Sequence, residues 1–249
     1  MENGSPSRTA DHPLKGRYHV AVMLLAMTSG ALDAIGFLGL GGVFASVMTG
    51  NVVLLGLSAG SRNASLAAHA VVAIFGYVIG VTVGVRVAGD RAPTRTTGWS
   101  KRVSAVLDFE LGLVLAFAIG WEFARGKPST PSQLALIGIA ATAMGLQSAV
   151  VRVATGVGTS TTYLTGTLTD VVATLASGRA LRLEWTGVTV LAAALVGAVL
   201  AGTAVVERST LAPIVPLLAL VGGLVLGRTL ITGERGGTPP SGATRTGAD

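Results

Sequence analysis

GGVFASVMTGNVVLLGLSAGSR, running from Gly41 to Arg62, and GVGTSTTYLTGTLTDVVATLASGR, running from Gly156 to Arg179, govern how the rest of the chain is read. Each passes from glycines through small residues to a hydrophobic residue followed by Thr-Gly (Thr49-Gly50 and Thr165-Gly166). A short apolar helix then leads to a small-residue turn and an arginine, Arg62 or Arg179. The apolar parts, Met48 to Ala59 and Leu164 to Ala176, fall short of the roughly 20 residues that a helix needs to cross a bilayer core. Six longer apolar stretches surround them: Tyr18 to Leu40, Leu66 to Ala88, Val103 to Trp121, Gln133 to Val151, Trp185 to Val206 and Leu211 to Leu230. Each short segment follows one long stretch and precedes two more. The chain therefore divides into two membrane half-repeats, residues 18–125 and 126–232, between polar ends at 1–17 and 233–249 that are expected to be disordered and cytoplasmic.

Composition agrees with lipid as the solvent. Half of the 249 residues are hydrophobic and only 12% are charged, and the mean hydropathy is +0.67. That leaves too little polar surface to cover a water-soluble body of this size. A span must satisfy its own backbone, as helices and closed barrels do. Long continuous apolar runs, in place of alternation at every second residue, select helices. The expected fold is an all-α polytopic membrane bundle of about six transmembrane helices plus two short broken or re-entrant ones, arranged as two inverted pseudo-repeats.

There is no cysteine, which removes disulfides, thiolate metal sites and cysteine nucleophiles. The net charge of +6 sits mostly in membrane-flanking links, where it orients the chain and meets lipid headgroups. The lipid bilayer is the expected partner and nucleic acid is not, while homo-oligomerisation stays open. If the two short segments dip in without crossing, only Arg62, Arg125, Lys127 and Arg208 lie outside, leaving 14 of the 18 basic residues inside with both termini. If both segments cross, the tally falls to 11 of 18. The positive-inside rule favours the first arrangement. Three spans per half is an odd number, so the halves insert in opposite directions, a pattern associated with secondary transporters.

The chemistry-bearing candidates follow from that arrangement. A helix that starts inside the membrane presents unpaired N–H groups and the positive end of its dipole. Thr49, Gly50 and Asn51, and Thr165, Gly166 and Thr167, are therefore candidate donors to an anionic or polar substrate group. Thr159, Ser160, Thr161, Thr162 and Tyr163 add donors ahead of the second element. The plainer account is that Thr and Gly only permit close helix packing. Asp33 and Asp170 are ionisable groups at membrane depth, read as polar ligands or proton carriers; the alternative is a buried carboxylate satisfied by backbone donors or by Arg152. Gln147 and Arg152 end the span leading into the second short segment, and Arg152 either holds an anionic group or snorkels. Asp108 and Glu110 read as interfacial ion pairing beside Lys101 and Arg102, His69 as an interfacial residue, and Trp99, Trp121 and Trp185 as an aromatic belt. No metal site, cofactor or nucleotide loop is expected, and no nucleophile, base and orienter stand together, so no enzymatic activity is expected.

ALDAIGFLGLGGVFASVMTGNVVLLG from Ala31, AMGLQSAVVR from Ala143 and TSTTYLTGTLTD from Thr159 resemble the signature regions of the YoaK family of bacterial membrane proteins, over about residues 18–230. The resemblance implies an inner-membrane location and transport of small metabolites, without an established substrate. It marks Asp33, Met48 to Asn51, Gln147, Arg152 and Thr161 to Thr167 as characteristic positions. Ser148 departs from the asparagine expected beside Gln147. The resulting expectation is a secondary transporter or permease for a small polar metabolite or ion, with a midplane site between the two broken segments. A channel-like pore, a membrane-embedded enzyme and a non-transporting membrane subunit are the alternatives.

Overall fold

Apolar runs in lipid close their backbone hydrogen bonds internally, and the described apolar runs of this chain do so as helices. The computed structural model describes residues 11–89, 99–155, 164–176 and 185–235. Among them are eight α-helices: α1 (Asp11–Gly39), α2 (Met48–Ser61), α3 (Ala64–Ala88), α4 (Lys101–Phe123), α5 (Thr130–Thr155), α6 (Leu164–Ala176), α7 (Trp185–Glu207) and α8 (Ile214–Arg235). All but α2 and α6 are long and apolar enough to cross a membrane, giving six candidate spans. The helices also extend into both ends that were expected to be disordered. α1 starts at Asp11, with Pro13 in its first turn where a missing N–H is tolerated, and α8 continues to Arg235.

End-to-end contacts set the direction of each span. His69, near the start of α3, packs its ring on Gly41 just beyond α1, where an added Cβ would stand 2.6 Å from His69 Cδ2. α3 therefore begins on the side of the membrane where α1 ends, and α2 starts and finishes on that one side. With 14 residues at about 1.5 Å per residue, α2 is about 21 Å long, short of a hydrocarbon core of about 30 Å. Trp121, near the end of α4, packs on Gly39 and donates its indole N–H to the Ser209 carbonyl at 2.7 Å, bringing the start of α8 to the same side.

Two seams of small residues join helices that run parallel. Along α3 and α5, Gly76 faces Gly138 and Thr142, Gly80 faces Thr142 and Gly145, and Gly84 faces Leu146 and Ala149. Along α1 and α7, His19 Nε2 lies 2.8 Å from Thr189 Oγ1, Gly30 faces Ala194, and Gly202 faces Ala34 and Leu38. A Cβ at Gly30, Gly80, Gly145 or Gly197 would run into the facing main chain. In lipid, where apolar surface gains nothing by leaving solvent, such close approach is a main source of helix cohesion. The four clashes form two pairs. Gly30 meets the Ala194 carbonyl as Gly145 meets that of Tyr77, and Gly197 meets the Met27 carbonyl as Gly80 meets that of Thr142. Gly145 follows Gly30 by the same step as Thr142 follows Met27, and Ala194 follows Tyr77 by the same step as Gly197 follows Gly80.

The spans gather into two groups of three. α1 packs mainly on α7 and α8, and α5 mainly on α3 and α4; α2 leans on α3 and α6 on α7. The groups meet where α4 touches α8 and where α1 crosses α5. Within each group one sequence half supplies two spans and the other half supplies its first. The outer perimeter is apolar and open, with Phe123 86% and Leu195 66% exposed, as suits a lipid-facing surface.

Three expectations change. Trp99 and Trp121 do not form a belt at the lipid boundary: Trp99 is buried against Gly227 and edge-on to Tyr18, and Trp121 is buried at the other end of the bundle. The side chain of Trp185 lies outside the described residues. His69 is also buried, held by its Nδ1 at 2.7 Å from the Ser65 carbonyl. Asp108 and Glu110 do not pair with Lys101 and Arg102. Two residues apart on a helix, they point to opposite sides, so Asp108 reaches Arg228 of α8 at 2.5 Å while Glu110 turns inward and is fully buried.

Candidate functional site

The best-defined polar cluster lies where α1 hands over to α2. α1 ends with the Leu40 amide on the Gly36 carbonyl. The chain then reverses through Gly41 and Gly42, whose φ of 85° and 79° suit glycine and few other residues. The reversal folds residues 43–47 back onto the last turns of α1. There Asp33, 8% exposed, receives the Ser46 amide on Oδ1 at 2.7 Å and the Ser46 hydroxyl on Oδ2 at 2.5 Å. Ser29, one turn before Asp33, donates its hydroxyl to Ser46 Oγ at 2.9 Å. All three side chains are buried.

Asn51 secures the other side of the same loop. Its Oδ1 accepts the Phe44 amide at 2.9 Å and its Nδ2 donates to the Phe44 carbonyl at 2.7 Å. The side-chain amide thus pairs with both the N–H and the C=O of one residue, much as a neighbouring strand would. Phe44 stacks on Phe37 of α1, with ring centroids 5.2 Å apart, which completes the clamp. Val47, at the head of α2, makes no side-chain cap. The position of that helix start is held instead by Asn51 from within its first turn and by Asp33 from α1. Thr49 is exposed, and Gly50 lies against Phe44.

On α5, Gln147 is buried and donates its Nε2 to the Leu25 carbonyl of α1 at 2.9 Å. This bond ties the two central helices at their crossing. Ser148 accepts the Tyr77 hydroxyl at 2.8 Å. In the correspondence set by Gly30 and Gly145, Ser148 is the counterpart of Asp33. Arg152 is exposed near the end of α5. On α6, Gly166 is exposed; the side chains of Thr165, Thr167 and Asp170, and residues 159–163 altogether, lie outside the described residues.

The structure thus joins Asp33 to the loop leading into α2, whose first turn carries Thr49, Gly50 and Asn51, and sets Gln147 beside α1 two turns before Asp33. It leaves Arg152 at the rim. Every oxygen of the Asp33 carboxylate has a donor, so the group organises backbone in this conformation. Ser29 and Ser46 are the partners that sequence reading passed over. The signal for Ser29 was present, four residues before Asp33 on one helical face; Ser46 reaches Asp33 only through the glycine reversal. No group of three or more His, Asp or Glu stands close enough to hold a metal ion among the described residues.

Comparison with known proteins places these features in context. A family model described as a protein of unknown function, DUF1275, matches residues 21–226. The chain is 33% identical over 156 residues to the UPF0700 transmembrane protein YoaK of Bacillus subtilis (strain 168), an alignment covering 63% of this chain and 66% of that protein. No solved structure matches the chain.

Proposed function

This chain belongs to the DUF1275 family, and from that premise we propose that it is a secondary transporter or permease for a small polar metabolite or ion, working by alternating access. One observation carries the reading. Exchanging α1 with α5, α2 with α6, α3 with α7 and α4 with α8 returns the same packed pairs, and each exchange of spans swaps helices of opposite direction. Two inverted repeats pack in this way, and inverted repeats with a broken helix at corresponding places are a transporter architecture.

In this reading the moving parts are the two mixed groups of three spans, rocking where α1 crosses α5 and where α4 meets α8. Substrate binds between them. Asp33, Thr165, Gly166, Thr167 and Asp170 serve from the group of α1, α7 and α8, Thr49, Gly50 and Asn51 from the group of α3, α4 and α5, with Gln147 at the crossing and Arg152 at the rim. The protein sits in the bacterial inner membrane with both termini cytoplasmic, as its basic links favour. It uses no cofactor and has no catalytic residue.

Flux of a broad metabolite panel into proteoliposomes, wild type against Asp33→Asn, tests the proposal. A solute carried by wild type and slowed at least about tenfold in the variant supports it; a loss of that size corresponds to about 1.4 kcal/mol. Identical fluxes remove Asp33 from the mechanism. Electrical conductance far above carrier turnover replaces the carrier with a channel. Protein that moves nothing but converts a substrate or holds a partner makes it an enzyme or a subunit.

A further inference from the structure

Glu110 is the polar group that the transport reading leaves without a task. It is 0% exposed, in the middle third of a membrane-spanning helix, and neither carboxyl oxygen has a hydrogen-bond partner among the described residues. Its nearest buried neighbours along α4 are apolar: Val106, Leu107 and Val114. The rest of that buried stripe is apolar apart from Ser104, six residues earlier, which accepts the Trp99 indole N–H at 3.2 Å.

The location adds a second argument. Val103 and Leu107 line a small cavity with Tyr18, Val22 and Leu25 of α1, Trp99, and Val150 and Val151 of α5. The Tyr18 hydroxyl is buried there and also lacks a partner among the described residues. One helical turn deeper into the membrane, Leu107 is followed by Glu110, Leu25 by Ser29, and Val150 and Val151 by Gln147. Glu110 therefore lies at the level of Gln147, where α1 crosses α5 and the two groups of spans meet. The Ser29, Ser46 and Asp33 chain runs from that level toward the side where α1 ends.

Charged neighbours do not account for Glu110. On the helices packed against α4, α5 carries Arg152, exposed at its end; α3 carries Arg86, also exposed, and the buried His69 at the opposite end; α8 carries Arg228, bound to Asp108. α8 also carries Glu234 and Arg235, whose side chains lie outside the described residues. α1, across the cavity, carries Asp11, His12 and Lys15, whose side chains lie outside the described residues, the exposed Arg17, then Tyr18, His19 and Asp33, the last satisfied by Ser46.

We propose that Glu110 is a proton-binding site, its carboxylate taking a proton from water, holding it as a neutral acid inside the closed bundle and releasing it to water when the two groups of spans part. The proton is the cation that a lone carboxylate can hold by itself, since metal ions require several oxygen ligands. Desolvation without a partner makes the charged form costly. Opening the α1 and α5 crossing would rehydrate the group and let the proton leave, and ionisable residues inside membranes commonly serve such relays. The bond changes balance: one O–H bond forms on uptake from a water-borne proton and the same bond breaks on release. As the coupling ion of transport, this proton rests on the preceding proposal; as a binding site it does not.

Infrared spectroscopy of the full chain in lipid nanodiscs tests it. At neutral pH wild type should show the carbonyl band of a protonated carboxylic acid, lost in Glu110→Gln and displaced in Glu110→Asp. The band should also shift after transfer to heavy water, which marks exchange and not merely a locked acid. A wild-type spectrum without a Glu110-dependent band overturns the proposal, as does a band that never exchanges. Should Glu110→Gln not fold, the displacement in Glu110→Asp carries the assignment. A clear exchanging band in a protein that transports nothing would retain the proton site and dismiss the transporter. Solute flux that proceeds with the same proton movement in wild type and Glu110→Gln would do the reverse for coupling.

Discussion

Ser46 closes both oxygens of Asp33 at once, its amide 2.7 Å from Oδ1 and its hydroxyl 2.5 Å from Oδ2. A carboxylate at the end of a transmembrane helix thus specifies the path of the loop behind it. The pairing sets the position from which α2 begins, and it makes the cost of losing either partner unequal.

Asp33→Ala leaves two buried Ser46 donors without an acceptor, whereas Ser46→Ala retains the amide bond. Hydrogen bonds to a charged group are worth about 1.5–3 kcal/mol each. Thermal unfolding of purified protein followed by tryptophan fluorescence should therefore show a larger loss for Asp33→Ala than for Ser46→Ala. Equal midpoints for wild type and Asp33→Ala would mean that the loop is held by other contacts.

The glycine seams give a sharper contrast. A Cβ at Gly80 would meet the Thr142 carbonyl, whereas one at Gly112 of α4 meets nothing within 4 Å. Gly80→Ala should cost at least about 1–3 kcal/mol through overpacking, while Gly112→Ala should be neutral or better because alanine favours helix. The yield of monodisperse protein on size exclusion checks the pair, and a Gly80→Ala variant as stable as Gly112→Ala contradicts the seam.

Asp108 and Arg228 are 45% and 53% exposed in their side chains, so water competes with their attraction. A double-mutant cycle with Asp108→Asn and Arg228→Gln should give a coupling below about 1 kcal/mol. A coupling of several kcal/mol would show that this contact between α4 and α8 closes in a drier environment.

The return of α2 can be read by labelling, because the chain has no cysteine to interfere. Ser61→Cys, Arg125→Cys and Arg86→Cys each place a thiol at an exposed position. A membrane-impermeant maleimide on intact cells should label Ser61→Cys together with Arg125→Cys and spare Arg86→Cys. Reaction of Ser61→Cys with the Arg86→Cys group instead would mean that α2 crosses.

Much of this molecule was legible in the order of its residues. Runs of apolar residues about as long as a bilayer is thick must be helices. The six spans and the two short helices fall close to where hydropathy and the doubled Thr-Gly element locate them. Asp33, Asn51 and Gln147 stood out because polar side chains in such runs are costly.

What the tertiary structure decided is which polar groups have partners and which helices pack together. Hydropathy treats a span as uniform around its axis. It could not tell that Asp108 faces Arg228 while Glu110, two residues on, faces the interior, or that α1 packs mainly on α7 and α8 of the other half. Those outcomes depend on glycine contacts between residues far apart in the chain and on a reversal at Gly41 and Gly42 that brings Ser46 to Asp33. By itself the sequence determined the solvent, the spans and their number; the packing alone decided which carboxylate is satisfied and which is left with only a proton to bind.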